Sequence, residues 1–146
     1  MMKILNALQM HELGAKIGAQ LKPGDLILLN GALGAGKTVL VQGIARALGI
    51  EGVTSPTFVI SKVYRAPLSL IHVDVYRLLD SNKAAMFLDD LDLDSDRDSA
   101  VTVIEWGGAE SARLSDERLE ITIEIDQEVR SVAIHRVGAR WDSFSL

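Results

Sequence analysis

The sequence predicts an α/β fold, a single domain with a mixed β-sheet flanked by helices, and three observations support this prediction. A continuous apolar run at 26–29 is typical of a buried strand, and a Gly-rich loop and a helical pattern follow it. Two later pairs of strand-like segments enclose short turn signals, which indicates hairpins after that helix and at the C-terminus. The 146 residues, 48% hydrophobic and 24% charged, suffice for one globular domain over residues 1–146.

The first half of the chain is predicted to alternate helix, strand and helix. Apolar residues recur at helical spacing over residues 9–21, and Lys-Pro-Gly at 22–24 is expected to end that helix. After the strand, the loop at 31–36 leads into a helix predicted over 37–48. Gly49 is well placed to stop this second helix.

The middle of the chain is predicted to form the first hairpin. Strand-like segments at 57–64 and 69–75 lie close together, and the turn between them contains Pro67. The polar, acidic residues at 78–99 are then expected to hold one short helix and a loop.

The last part of the chain is predicted to return to the sheet. A continuous apolar segment at 101–104 indicates another buried strand. Apolar and polar residues then alternate at 119–125 and 129–137 around a polar turn at 126–128, which predicts the terminal hairpin.

Composition excludes several classes of protein. There is no cysteine, so neither disulfides nor thiolate metal sites are available. No segment approaches the roughly 18 apolar residues of a membrane span, and no export signal is recognised at the N-terminus. A formal net charge of −5 argues against a large nucleic-acid surface. We therefore expect a cytoplasmic protein.

The segment 31–38, Gly-Ala-Leu-Gly-Ala-Gly-Lys-Thr, matches the phosphate-binding pattern G-x-x-x-x-G-K-[ST] completely. Glycines let the backbone N–H groups turn toward phosphate oxygens, and the following helix aims its N-terminus at the same anion. Lys37 is expected to reach the β- and γ-phosphates, and the Thr38 hydroxyl to ligate magnesium. The expected nucleotide-contacting residues of this segment are Gly31, Leu33, Gly34, Ala35, Gly36, Lys37, Thr38 and Val39.

Two acidic residues stand at the ends of strands that are predicted to lie near this loop. Asp74 comes after 70–73, and Glu105 comes directly after 101–104. A nucleotide-hydrolysing site needs carboxylates at such positions to hold magnesium or orient the attacking water. The expected catalytic residues are thus Lys37, Asp74 and Glu105, and the expected metal ligands Thr38, Asp74 and Glu105. The residues alone leave open which carboxylate holds metal and which handles water.

Three further residues have both a structural and a functional interpretation. Thr57 lies in a hydroxyl-rich turn that could sense the γ-phosphate, or that simply opens a strand. His72 alternates with apolar residues, which favours packing over catalysis. Trp106, next to Glu105, is on its own more simply explained by burial.

Four segments together make the chain resemble the TsaE (formerly YjeE) family, the bacterial ATPases of tRNA threonylcarbamoyladenosine synthesis. These segments are the phosphate loop at 31–38, Ser-Pro-Thr-Phe at 55–58, His-Val-Asp-Val-Tyr-Arg at 72–77 and Ile-Glu-Trp at 104–106. The phosphate loop is generic, whereas the other three at these intervals are more specific. The resemblance covers nearly the whole chain.

The resemblance implies a function that cannot be inferred from the chemistry of the residues alone. Family members hydrolyse ATP with Mg²⁺ in association with two partner proteins of the threonylcarbamoyl-transfer complex, of TsaD and TsaB type. One partner modifies the adenosine next to the tRNA anticodon, so contact of the ATPase with tRNA is expected to be indirect. By matching motifs, Thr57 would lie in a switch segment, Asp74 and Glu105 would complete the metal and water site, and Trp106 would join the nucleotide site.

The chain departs from the family pattern at several positions. Ala32 stands where the family commonly has Asp, Val39 where it has Thr, and Gly107 where it often has Pro. None of these changes removes an expected phosphate or metal ligand.

Three other functions could make use of a phosphate loop. A small-molecule kinase would use the same loop, but little chain is left for a lid or acceptor domain. A GTPase is disfavoured, because the Asn-Lys-x-Asp base-reading motif is missing and the segment 82–85 fails at its last position. A nucleotide-gated binding module with negligible turnover is compatible with all the motifs.

Overall fold

The computed structural model describes residues 2–32, 34–54, 61–74, 98–105 and 116–146, which form a seven-stranded sheet, two helices and a 3₁₀ turn. The strands are β1 (Met2–Ile4), β2 (Leu26–Gly31), β3 (Ser61–Tyr64), β4 (Ser69–Asp74), β5 (Ala100–Glu105), β6 (Arg118–Asp126) and β7 (Val129–Val137). The helices are α1 (Ala7–Gly18) and α2 (Lys37–Ala47), and the 3₁₀ turn spans Ala139–Trp141.

The sheet is mixed, as the sequence predicted. Its strand order is β1-β7-β6-β2-β5-β4-β3. The central strands β6, β2, β5 and β4 are parallel to one another, whereas β3 joins β4, β7 joins β6 and β1 joins β7 by antiparallel pairing. The carboxyl ends of β2, β4 and β5 therefore meet at one edge of the sheet, where α/β folds commonly bind ligands.

Both predicted hairpins are confirmed. Strand β3 pairs with β4 in antiparallel register, and β6 pairs with β7 from Arg118 opposite Val137 to Asp126 opposite Val129. The second turn has Gln127 in the left-handed region, with φ 57°. Residues 57–60 and 75 of the predicted strands, and residues 78–97 of the predicted helix and loop, lie outside the described part of the chain.

The first helix differs from its prediction at both ends. It begins at Ala7, because the Asn6 side chain caps it by accepting a hydrogen bond from the Gln9 backbone at 2.9 Å. It ends at Gly18, so the predicted end at residue 21 is wrong. Leu21 is nevertheless buried, since the chain turns and packs it against the core. Strand β1, which the sequence did not predict, pairs with β7.

Both described helices pack against the same face of the sheet. Their apolar residues form one cluster with Ile27 and Leu29 of β2 and with inward-facing residues of the neighbouring strands. The two helix backbones come unusually close, because Gly14 of α1 faces Gly43 of α2. None of the described helices is long and apolar enough to cross a membrane.

Candidate nucleotide-binding site

The phosphate loop connects the carboxyl end of β2 to the first turn of α2. Strand β2 extends to Gly31, two residues beyond its predicted end, so the loop starts from a residue that is held in the sheet. Gly34 and Gly36 have φ 80° and 109°, values that side-chain-bearing residues rarely adopt. Gly36 is also the N-cap of α2, so the N–H groups in the first turn of that helix face the loop. This is the backbone geometry that binds phosphate.

Lys37, the first residue of α2, lies inside the loop. Only 6% of the side chain is exposed, and its Nζ donates a hydrogen bond to the Gly31 carbonyl at 2.6 Å. Burial lowers the pKa of Lys37 below its ordinary value of 10.5, although the negative charges of Glu105 and Asp74 act in the opposite direction. The ammonium group is therefore held close to the phosphate-binding backbone and to both carboxylates.

Asp74 and Glu105 lie side by side at the edge of the sheet next to the loop. Asp74 is the last residue of β4 and Glu105 the last of β5, and the parallel register pairs the two residues directly. Glu105 is also paired with Leu29 of β2, so its side chain lies on the face that the helices cover. Glu105 is buried and Asp74 half-buried. Tertiary structure thus brings together three residues that are up to 68 positions apart, Lys37, Asp74 and Glu105.

His72 makes the closest side-chain contact of Glu105 that the described residues show. Its Nε2 lies 2.6 Å from Glu105 Oε2, and neither side chain is more than 3% exposed. The interpretation of His72 as a packed residue agrees with this burial, but it missed the hydrogen bond. The sequence contained one signal of this contact. His72 lies two residues before Asp74 on the same strand, and residues two apart on a strand share a face.

A cavity of about 230 Å³ adjoins the loop on the side of the N-terminus. Gly34, Ala35, Gly36 and Val39 line one side of it; Ile4, Asn6, Ala7, Met10 and Arg130 line the other. Arg130, on β7, donates to the Gly34 carbonyl at 3.3 Å. Sequence reasoning missed the second group, because no local motif marks it.

The donor set fits Mg²⁺ together with a bound nucleotide. Within the described ranges, no group of three or more His, Asp or Glu residues is placed to hold a metal ion by itself. Mg²⁺ does not need such a group, since it usually takes one or two carboxylates and completes its shell with water and substrate phosphates. Asp74 and Glu105 are the candidate carboxylates, and Thr38 lies half-buried in the first turn of α2 with its hydroxyl as a further candidate.

The expected roles of Leu33, Thr57 and Trp106 stay predictions, because these residues lie outside the described part of the chain.

Comparison with known proteins gives one consistent result. Residues 4–132 match the family described as "Threonylcarbamoyl adenosine biosynthesis protein TsaE". A TsaE protein from Mycobacterium tuberculosis is 50% identical over 119 residues, which cover 77% of this chain and 71% of that protein. The Streptomyces coelicolor TsaE protein is 42% identical over 144 residues, or 90% of this chain and 93% of that protein.

A solved structure agrees with the sequence comparison. The crystal structure of Bacillus subtilis YdiB superimposes with a TM-score of 0.77 and 30% identity, covering 97% of this chain and 87% of that one. The likeness covers nearly the whole chain, including its seven-stranded mixed sheet, and confirms the predicted single-domain P-loop NTPase fold. The chain belongs to the TsaE family.

Proposed function

We propose that this protein binds and hydrolyses ATP with Mg²⁺ in support of a multi-protein complex that adds threonylcarbamoyl to the adenosine next to the tRNA anticodon. The ATPase proposal depends on one observation, that Lys37 lies close to Asp74 and Glu105 beside a phosphate-binding loop. A phosphate loop alone binds nucleotide. Hydrolysis needs acidic groups beside the γ-phosphate as well, and the register of β4 and β5 supplies two.

Each part of the site has a distinct task in this proposal. Backbone N–H groups of the loop and of the first turn of α2 hold the phosphate oxygens, and Lys37 balances charge at the β- and γ-phosphates. Mg²⁺, when bound, neutralises the charge that develops on the transferred phosphoryl group. Thr38, Asp74 and Glu105 are the residues that would hold it. Either carboxylate also suits the orientation of the attacking water.

The cavity beside the loop could accommodate the base and ribose of ATP. It opens next to the residues that hold phosphate, and it combines apolar walls with a small number of polar groups. Met10 supplies an apolar surface, while Asn6 and Arg130 supply an amide and a guanidinium group for orienting polar atoms of the nucleotide.

Family membership supports the wider role. The relatives are named tRNA threonylcarbamoyladenosine biosynthesis proteins. We infer that two partner proteins, of TsaD and TsaB type, stimulate a weak basal ATPase activity and that one of them handles the tRNA, so that tRNA contact by this chain is indirect. This work would take place in the cytoplasm, with residues 1–146 acting as one ATPase domain.

The experiment that tests this function is ATP hydrolysis by the purified protein, alone and with the two partner proteins. A low basal rate that rises when both partners are added is the expected result. A rate indifferent to the partners would contradict the proposed complex. ADP formation that depends on a small acceptor molecule would point instead to a kinase. Tight ATP binding with no turnover under any of these conditions would favour a nucleotide-gated binding module.

A pair of lysine variants tests the site itself. Lys37→Ala removes a charged hydrogen-bond donor, which is worth about 1.5–3 kcal/mol, so ATP affinity should fall roughly 10- to 150-fold. Lys16→Ala is the matched control, since Lys16 is exposed on α1. Equal ATP affinity and equal hydrolysis for the two variants would refute the assignment.

A further inference from the structure

We propose that His72 is a positioning residue that fixes the carboxylate of Glu105 at the nucleotide site, a role that rests on the proposed ATPase function. The sequence presents His72 as one more inward-facing residue of a buried strand. Its contacts in the structure give it a more specific role.

The hydrogen bond between His72 and Glu105 is short and shielded from solvent. Nε2 and Oε2 are 2.6 Å apart, and the His72 side chain has no exposed surface. A carboxylate that ligates a cation or a water is ionised and can only accept hydrogen bonds, so Nε2 is the donor. Charge-assisted bonds of this kind are about twice as strong as neutral ones.

Within the part of the chain that the structure describes, the other ring nitrogen is not held by a wider polar network. Among the described residues, Nδ1 of His72 is buried with no hydrogen-bond partner. With Nε2 protonated, a neutral ring leaves Nδ1 as an acceptor without a proton. A buried polar ring is costly unless it is hydrogen-bonded, and in the described structure Glu105 provides the bond. Across the described ranges, the contact with Glu105 is thus the polar interaction that the His72 side chain makes.

Strand geometry makes this contact a rigid one. His72 lies opposite Val103, and Asp74, two residues farther along β4, lies opposite Glu105. Residues two apart on a strand share a face, so one strand carries both a candidate metal or water ligand and the group that holds the second ligand. With Oε2 bound to His72, the carboxylate plane of Glu105 is fixed and Oε1 is the oxygen left for the nucleotide site. A hydrogen bond from a neighbouring side chain commonly orients a residue that ligates a metal ion.

A series of substitutions at His72 separates positioning from packing. His72→Phe keeps a flat ring but removes the donor, and turnover should fall about 10- to 100-fold while ATP affinity measured without Mg²⁺ stays within a factor of about two. His72→Gln places an amide N–H near the position of Nε2 and should recover most of the turnover. His72→Asn, whose amide reaches only the position of Nδ1, should not.

The pairing itself is tested on the ligand-free protein. The Nε2 proton of His72 should give a downfield nuclear magnetic resonance signal, and Glu105→Ala should shift or remove it. In the Glu105→Ala background, adding His72→Phe should cause no further loss of turnover. An unchanged signal in Glu105→Ala, or equal turnover for the Phe and Gln variants, would overturn the positioning role. Absence of wild-type hydrolysis, even with both partners, would overturn the ATPase function and with it this role, whereas an unshifted signal in an active enzyme would overturn the His72 role alone.

Discussion

Replacing Gly43 with alanine tests how α2, and with it Lys37, is held against the rest of the protein. In an exposed helix, alanine is favoured over glycine by about 1 kcal/mol. Gly43, however, lies where α1 and α2 cross. A Cβ atom there would lie 2.1 Å from the His11 carbonyl oxygen and 3.0 Å from the Cα of Gly14. Helix propensity therefore predicts that Gly43→Ala stabilises the protein, whereas packing predicts that it destabilises the protein.

The geometry decides which effect is larger. Ordinary contacts between non-bonded heavy atoms are about 3.5 Å, so the 2.1 Å approach to the His11 oxygen would require the helices to separate by more than about 1 Å. The nearest atom belongs to the backbone, so no side chain can turn away to make room. Overpacking costs typically about 1–3 kcal/mol, and we expect the upper part of that range. After the propensity gain, the net loss is about 1–2 kcal/mol, which corresponds to a melting temperature lower by roughly 2–8 °C.

The assay is thermal and urea unfolding of Gly43→Ala beside the wild type. Glu12→Ala and Glu12→Gly measure the preference of a helix for alanine over glycine at an exposed position of α1. Of these two variants, Glu12→Ala should be the more stable by about 1 kcal/mol. Because Lys37 begins the displaced helix, ATP affinity should also fall in Gly43→Ala. A Gly43→Ala protein as stable as the wild type, or more stable, would refute the close helix crossing.

Three further predictions concern charged groups. Burial lowers the pKa of Lys37, whereas bound phosphate favours its protonated form, so ATP affinity should fall as pH rises toward 10.5. In the nucleotide-free protein, loss of this buried charge over the same pH range should raise the free energy of unfolding. Titration calorimetry and urea unfolding across this range check both signs, and a pH-independent affinity would contradict them. Arg140→Ala leaves the buried carboxylate of Asp25 without the hydrogen bonds from Nε at 2.9 Å and Nη2 at 2.7 Å. The free energy of unfolding, measured with urea, should therefore fall by about 3–5 kcal/mol, and a decrease below about 1 kcal/mol would argue against this ion pair. Arg130→Ala should weaken ATP binding roughly 3- to 10-fold with little effect on folding, whereas Arg136→Ala on the same strand should not weaken it.

Local patterns predicted the central part of this fold well. The buried strand, the Gly-rich loop and the helix from Lys37 were each identified within a few residues, because a phosphate loop is a contiguous motif with its chemistry in its own sequence. Both hairpins were also found, since turn residues and strand alternation are local signals. The candidate carboxylates were identified for a similar reason, because each one directly follows an apolar run.

Apolar periodicity was less reliable at the ends of elements. The prediction extended the first helix to residue 21 because Leu21 continues the apolar spacing. In the structure, the helix ends at Gly18 and Leu21 is buried from the following turn. Periodicity reports burial rather than backbone conformation, so it does not mark where a helix stops once the chain beyond it is also buried.

By itself, the sequence determined the fold class, the phosphate loop and the identity of the acidic residues, because these depend on residues that are close together in the chain. Only the three-dimensional structure established that Glu105 lies opposite Asp74, that His72 Nε2 lies within hydrogen-bond distance of Glu105 and that Arg130 reaches the loop. These contacts join residues that are 31 to 96 positions apart in the chain, and they depend on strand order and register. Register is set by the packing of whole sheet faces, so no short segment of sequence encodes it.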